Sequence, residues 1–337
     1  MTGLLPVLLL PVVAACGDDH LKKYPQTTFR PVTEFARTID DLTFMTLYLG
    51  VGVGLIVFAL MAYILLRFRY RPDAPEPKQI HGNTTLELAW TLVPAVILAI
   101  IAVPTVRAIF ATQPEPSPDA LVVNVTGKQW WWEVKYVVGN DTVRTANEVH
   151  VPIGRQVHLK LTTDNVLHSF WVPQMGGKRD MITNRINHLI FTPEQPGVYM
   201  GVCAEFCGES HALMRFRMVA HPPEDFQRWM RNEASPAAQP VDSTSAVALG
   251  KQLYNQVGCG ACHAIRGHEG AVGIQGPNLT HLASRRTIAA GIMDNNAENL
   301  NRWINNPTQV KPGSKMPKLN WTEDQVRYIV AYLQTLE

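Results

Sequence analysis

A chain of 337 residues, 46% hydrophobic and 17% charged, has room for about two domains and suits partial embedding in a membrane. Its 30 Lys and Arg against 28 Asp and Glu leave a formal charge of +2, and the basic residues are scattered, which excludes a nucleic-acid-binding stripe. All five cysteines fall inside motifs described below, so no structural disulfide is required.

The first apolar run, Leu4 to Ala15, would span only about 18 Å as a helix, too short to cross a bilayer, and residues 1–15 are read as a signal peptide. It ends in Val13-Ala14-Ala15-Cys16-Gly17-Asp18, which resembles a bacterial lipobox. That resemblance implies cleavage before Cys16, acylation of its sulfur and attachment to membrane lipid; the lack of Lys or Arg ahead of the run departs from the pattern. An extracytoplasmic segment, 16–42, leads to a predicted transmembrane hairpin over 43–111. Phe44 to Leu66 is uncharged throughout and spans about 34 Å as a helix. Leu88 to Val106 is a second such run, with Trp90 near one end as an interfacial anchor and Pro94 and Pro104 tolerable as kinks. The loop between them carries Arg67, Arg69, Arg71 and Lys78, so the positive-inside rule puts the loop in the cytoplasm and the rest outside.

Over 112–221 the pattern changes to short alternating strands: Leu121, Val123 and Val125; Trp130, Trp132, Val134 and Tyr136; Val157, Leu159 and Leu161. Alternation predicts half-buried sheet, and turn residues between the runs predict a small all-β sandwich or barrel. Its chemistry is concentrated in Cys203-Ala-Glu-Phe-Cys207-Gly-Glu-Ser-His211-Ala-Leu-Met214. Two thiols, an imidazole and a thioether within a dozen residues favour copper, because soft sulfur combined with imidazole selects it over harder ions. His168 is a further ligand candidate from a distant strand. Structural zinc is the competing reading, but zinc favours Cys pairs two to four residues apart without a thioether. The other histidines, His81, His150, His158, His188 and His221, have no constellation around them and read as structural or exposed.

Residues 222–245 read as a linker, with a short amphipathic helix over Glu224 to Arg231 and then a polar, Pro-rich stretch from Ser235 to Ser245. Extended, the eleven or so residues of that stretch reach about 35 Å, letting the last domain move while keeping it close to its neighbour. Residues 246–337 contain Cys259-Gly-Ala-Cys262-His263, the spacing of covalent c-type haem attachment, with two thiols for the haem vinyls and an imidazole for the iron. Gly276-Pro277-Asn278-Leu279, Lys315-Met316-Pro317 and a terminal helix from Gln325 to Leu336 reinforce it. Met316 is the candidate distal ligand; Met293 and His281 compete with it.

Two apolar helices followed by a β domain with Cys-x-Glu-x-Cys-x3-His-x2-Met resemble subunit II of the haem-copper cytochrome c oxidases over residues 30 to 220. The remainder resembles a class I cytochrome c over residues 245 to 337. The order of parts resembles subunit II of the caa3 type. The resemblance implies a multidomain fold: a two-helix transmembrane hairpin, an all-β cupredoxin-like domain and an all-α class I cytochrome c domain. It implies a dinuclear copper centre, CuA, bridged by Cys203 and Cys207, with His168 and Met214 on one copper, and His211 and the carbonyl of Glu205 on the other. It also implies haem c on Cys259 and Cys262 with His263 and Met316 axial, the Pro277 carbonyl orienting His263. Trp130 would be the point of electron entry, the Glu205 side chain would share a magnesium ion with subunit I, and Glu87 would stand at the mouth of a proton path. The implied activity is electron transfer from a c-type cytochrome or a quinol:cytochrome c reductase-type complex to subunit I, which reduces O2 coupled to proton translocation. No catalytic residue is expected on this chain itself. Further oxidase subunits and a bacterial inner-membrane location, both soluble domains outside, follow from the same resemblance. A nitric oxide reductase using a CuA subunit and a free membrane-anchored carrier are the alternatives. A quinol oxidase is disfavoured, because that relative lacks the copper ligands.

Overall fold

The computed structural model describes residues 25–73, 75–76, 78–138, 141–237 and 245–337. The signal peptide and Cys16 lie outside the described residues. The chain divides into two units, 37–114 and the remainder.

The first unit consists of most of α1 (Glu34–Arg67) and all of α2 (Thr84–Ala111). Over their apolar stretches both helices bury no side chains, as expected of elements whose solvent is lipid. Each is longer than its uncharged run. α1 begins ten residues before Phe44 because its first turn is tied to the β domain: Thr33 caps it by accepting the Ala36 amide at 3.0 Å, and Phe35 and Ala36 are buried. Pro94 and Pro104 both lie inside α2. At the start of α2, Asn83 accepts the Leu86 amide at 3.2 Å, and the Glu87 carboxylate accepts the Asn83 amide at 3.3 Å. Glu87 therefore helps to cap its own helix.

The β domain is two five-stranded sheets. One runs β3-β2-β1-β5-β8, built from Asp141–Ala146, Trp131–Val138, Leu121–Lys128, Val157–Thr163 and Asn187–Phe191. The other runs β4-β10-β9-β6-β7, built from Glu148–Pro152, Arg215–His221, Gly197–Cys203, His168–Trp171 and Arg179–Met181. β1 pairs with β5 in parallel and β10 with β4 in parallel, so the chain crosses between sheets rather than meandering. Strict alternation of buried and half-buried residues along β1 puts Val123 and Val125 in the core. Trp132 fills its centre, fully buried and edge-on to Phe170 and Phe216 at centroid distances of 5.6 and 5.1 Å. Trp130 is not part of that alternation: β2 starts at Trp131, and Trp130 sits in the turn before it.

Two features depart from the sequence reading. The span read as a linker opens with α3 (Pro223–Ala234), which is part of the β domain because Phe226 and Met230 bury one face of the helix in the sandwich core. Four of the five histidines read as isolated form two pairs: His150 Nδ1 lies 2.8 Å from His221 Nε2, and His158 Nε2 lies 2.8 Å from His188 Nδ1. The first pair is stacked under Trp229 of α3, 4.1 Å from His150 and nearly parallel to it. Long-range sheet pairing and a helix from outside the strands brought these rings together, which no local spacing announces.

The last domain is helical. α4 (Ala246–Val257) crosses α7 (Glu323–Leu333), and α5 (Ala297–Asn305), the one-turn α6 (Pro307–Val310) and the short pair β11 (Thr287–Ile288) and β12 (Met293–Asp294) complete it. The α4–α7 crossing is close because Gly250 faces the Tyr328 carbonyl, where a Cβ would collide with the backbone. Thr322 and Gln325 form a reciprocal capping box at the start of α7.

Candidate functional site

The copper-type donors converge on one point. His168 opens β6 and Cys203 closes β9, and these strands pair with Phe170 opposite Cys203. Cys207 and His211 come from the following loop, and Met214 lies just before β10, its carbonyl accepting the Cys203 amide at 3.0 Å. The two sulfurs are 3.8 Å apart, nearly twice a disulfide bond length, and both thiols are free. His168 Nδ1 lies 3.8 Å from Cys203 Sγ, His211 Nδ1 3.7 Å from Cys207 Sγ, and Met214 Sδ 3.9 Å from Cys207 Sγ. The Glu205 carbonyl is 3.2 Å from Cys203 Sγ. Each of the other four donors found in the sequence thus lies within 3.2 to 3.9 Å of one of the two sulfurs, and His168, Cys203, Cys207 and Met214 are buried.

Local backbone explains the convergence. Gly127 on β1 leaves room for the His168 ring, which a Cβ there would meet at 2.8 Å. Gly208, with φ +113°, takes the loop past Trp130 and Gln129 after Cys207. Asn165 Oδ1 lies 3.2 Å from His168 Nε2 and accepts its N–H, so Nδ1 presents its lone pair to the sulfurs. A hydrogen bond shared with Cys207 holds the Cys203 thiol well down, and the same bond with burial pushes Cys207 up. The donor set fits a dinuclear copper centre: two sulfurs able to bridge, with an imidazole on each side.

The Glu205 carboxylate stands apart. Among the described residues, the one group of three His, Cys, Asp or Glu side chains close enough to share an ion is His168, Cys203 and Cys207.

In the helical domain, a tight turn at Cys259–Ala261 carries the first thiol into the second and into His263. His263 Nδ1 donates to the Pro277 carbonyl at 2.7 Å, which leaves the Nε2 lone pair free for a ligand. Glycines cradle the motif: a Cβ at Gly276 would stand 2.5 Å from the His263 ring, and one at Gly273 would strike the Ala261–Cys262 backbone. Of the competing ligands, His281 is excluded by its partners, with Nδ1 on the Glu337 carbonyl at 2.5 Å and Nε2 on the Ser235 carbonyl at 3.1 Å. Met293 packs on the domain core in β12. Met316 stays half-buried on a loop, its amide on Ser314 Oγ at 3.3 Å. The donors and the cradle fit a c-type haem.

Trp130 joins the two sites. Its indole N–H and the Gln129 amide both donate to the Cys207 carbonyl, at 3.0 and 2.8 Å. On its other side the ring touches Gly313 of the helical domain. That domain is docked on the β domain rather than held only by a linker: the Arg215 amide donates to the Ala290 carbonyl at 3.0 Å, and Ser210 Oγ donates to the Pro312 carbonyl. Gln129, Asn165 and Lys311, all in contact with the sites or their junction, were missed in the sequence; an amide or a lysine carries no spacing signal of its own.

Taken together, fold and sites define a membrane-anchored electron-transfer chain with a cupredoxin-like copper domain and a c-type cytochrome domain. Comparison with known proteins agrees. Residues 26–108 match the family model for the transmembrane domain of cytochrome c oxidase subunit II, 138–220 that for its periplasmic domain, and 247–337 that for cytochrome c. The chain is 34% identical to cytochrome c oxidase subunit 2 of Alkalihalophilus pseudofirmus, over 99% of its own length and 96% of the relative's. It is 33% identical to cytochrome c oxidase subunit 2 of Bacillus subtilis, over 100% and 96%. A more partial likeness, 32% identity over 76% of this chain and 84% of the relative, is to quinol oxidase subunit 2 of Bacillus anthracis. The chain belongs to the cytochrome c oxidase subunit 2 family, in the form that carries a C-terminal cytochrome c domain. It is the electron-transferring subunit of a haem-copper oxidase and works in complex with subunit I.

Proposed function

We propose that this chain is subunit II of a caa3-type cytochrome c oxidase of a bacterial inner membrane, with the copper and cytochrome domains on the outer side. The observation that carries the reading is the convergence of two free thiols, two imidazoles, a thioether and a carbonyl at contacts of 3.2 to 3.9 Å. Cys203, Cys207, His168, His211, Met214 and the Glu205 carbonyl would together hold the two coppers. Cys259 and Cys262 would hold haem c covalently, with His263 and Met316 as its iron ligands. When bound, these groups supply one-electron carriers, the copper pair sharing its electron across two thiolates and the haem holding a potential raised by His/Met ligation.

The protein's own residues do the rest. Asn165 and the Pro277 carbonyl fix the tautomers of His168 and His263. The sandwich core keeps water from Cys207 and Met214. Trp130, bonded to the Cys207 carbonyl and touching the cytochrome domain, is the point of electron entry. Electrons arrive at the cytochrome domain from a c-type cytochrome or a quinol:cytochrome c reductase-type complex, cross at Trp130, and leave for subunit I, where O2 is reduced with proton translocation. Glu205, on the exposed loop beside Phe206, would share a magnesium ion with subunit I. Glu87, at the cytoplasmic end of α2, would mark the mouth of the proton path, and Cys16 would carry the lipid.

The test is metal analysis, absorption and turnover of the purified complex. Two coppers per chain, a near-infrared mixed-valence band, a c-type haem band and O2 uptake are expected. Consumption of nitric oxide in place of O2, or purification without a tightly bound haem-copper subunit, would overturn the reading.

A further inference from the structure

A lysine at the junction of the copper and cytochrome domains belongs to neither donor set. Lys311 is 4% exposed, and its Nζ donates to the carbonyl of Trp130 at 2.5 Å and to that of Ala289 at 3.2 Å. The first carbonyl is in the copper domain, the second in the cytochrome domain. Among the described residues no carboxylate lies in ion-pair range of it. Burial lowers its pKa to about 7. Burying an amine with no carboxylate partner costs free energy, which the two hydrogen bonds across the junction offset.

What it holds is a two-strip contact. One strip is the loop after Lys311: the Pro312 carbonyl accepts from the buried Ser210 hydroxyl, and Gly313, with φ +73°, lies so close to the Trp130 ring that a Cβ would stand 2.7 Å from two of its carbons. The other strip is 286–291. Buried Glu148 accepts the amides of Arg286 and Thr287 at 2.7 and 3.1 Å, the Arg215 amide meets the Ala290 carbonyl, and the Arg217 guanidinium reaches the Gly291 carbonyl at 3.2 Å. Lys311 starts the first strip and, through Ala289, bonds the second. Its other bond, to Trp130, is one hydrogen bond away from the Cys207 carbonyl.

The geometry points to Lys311 as a positioning residue, a latch that seats the cytochrome domain over Trp130 and closes that face to any separate donor protein. A separate donor is then confined to the cytochrome domain. The inference rests on Trp130 being the point of electron entry, and the experiment separates the two claims.

Lys311→Met keeps the aliphatic stem and removes the donors. In the full-length chain freed of copper, hydrogen–deuterium exchange of the peptide covering 286–291 is expected to rise about tenfold, the effect of losing the two hydrogen bonds that tie the strips together. Exchange in the strand core around Trp132 to Tyr136 stays unchanged. Lys311→Arg, which keeps donors, restores most of the protection. In the copper-loaded complex, photoinduced electron transfer from haem to copper slows in Lys311→Met while both absorption bands persist. Unchanged exchange at 286–291 overturns the latch. Faster exchange with unchanged electron transfer supports the latch and overturns entry at Trp130. If Lys311→Met loses an absorption band, Arg217→Gln serves in its place: it loosens the same contact from the copper side, and unchanged exchange there overturns the latch.

Discussion

The copper site and the haem site answer the same problem, holding a redox group still, in opposite ways. The copper donors hang from strand ends and one loop over a core that is complete without the metal: Trp132, Phe170 and Phe216 pack immediately beneath His168 and Met214. In the helical domain Cys262 is exposed, Val272 and Ile274 are 78% and 57% exposed, and Met316 lies on a loop without helix or strand. The copper donors are thus backed by the sandwich core, whereas the haem-attachment turn lies among exposed apolar side chains that a bound haem would cover.

That difference is open to direct attack. The largest effect is expected from Cys259→Ser with Cys262→Ser: without covalent haem the cytochrome domain should lose its helical circular dichroism, while the copper band persists. Cys207→Ser is the mirror experiment. It should abolish the near-infrared band and leave both the haem band and the β-sheet signal intact; loss of the sheet signal would show that the copper domain also depends on its metal. Asn165→Ala, which removes the acceptor on His168 Nε2, should weaken copper retention by about 10–100-fold against a competing chelator without altering the unfolding of the copper-free domain.

The smallest effect is a matter of pH. Burial, with a contribution from His150, holds His221 at about 4, below its ordinary 6.5. The folded domain keeps it neutral, and the unfolded chain takes up a proton below 6.5, so its contribution to stability is complete above that value and is lost as pH falls through about 4. Thermal unfolding of the copper domain should drop over that window, and His221→Gln should flatten the drop. A cytochrome domain showing the same pH slope would place its cause outside the His150–His221 pair.

Much of the site was legible before folding because its ligands are close in sequence. Cys203 to Met214 lie within one strand end and loop, and Cys259 to His263 within one turn, so spacing alone identified their chemistry. The transmembrane helices were legible for a different reason: lipid tolerates no polar face, and composition records that directly. The histidine pairs were not legible, because His150 meets His221 only through the parallel pairing of β4 with β10 and the stacking of Trp229. Glu87 was read through the resemblance as the mouth of a proton path, and its bond to the Asn83 amide emerged only with the helix start in place.

The amino-acid sequence by itself determined the parts list: two membrane helices, a sulfur-rich copper loop, a haem attachment turn and the order in which they occur. Each is a local property, written in hydropathy or in ligand spacing over a few residues. Tertiary structure decided how the parts meet. Asn165 beside His168, Trp130 on the Cys207 carbonyl and Lys311 across the domain junction are contacts between residues brought together by sheet pairing and docking. Such contacts depend on the packing of surfaces far apart in the chain, and no local pattern encodes them.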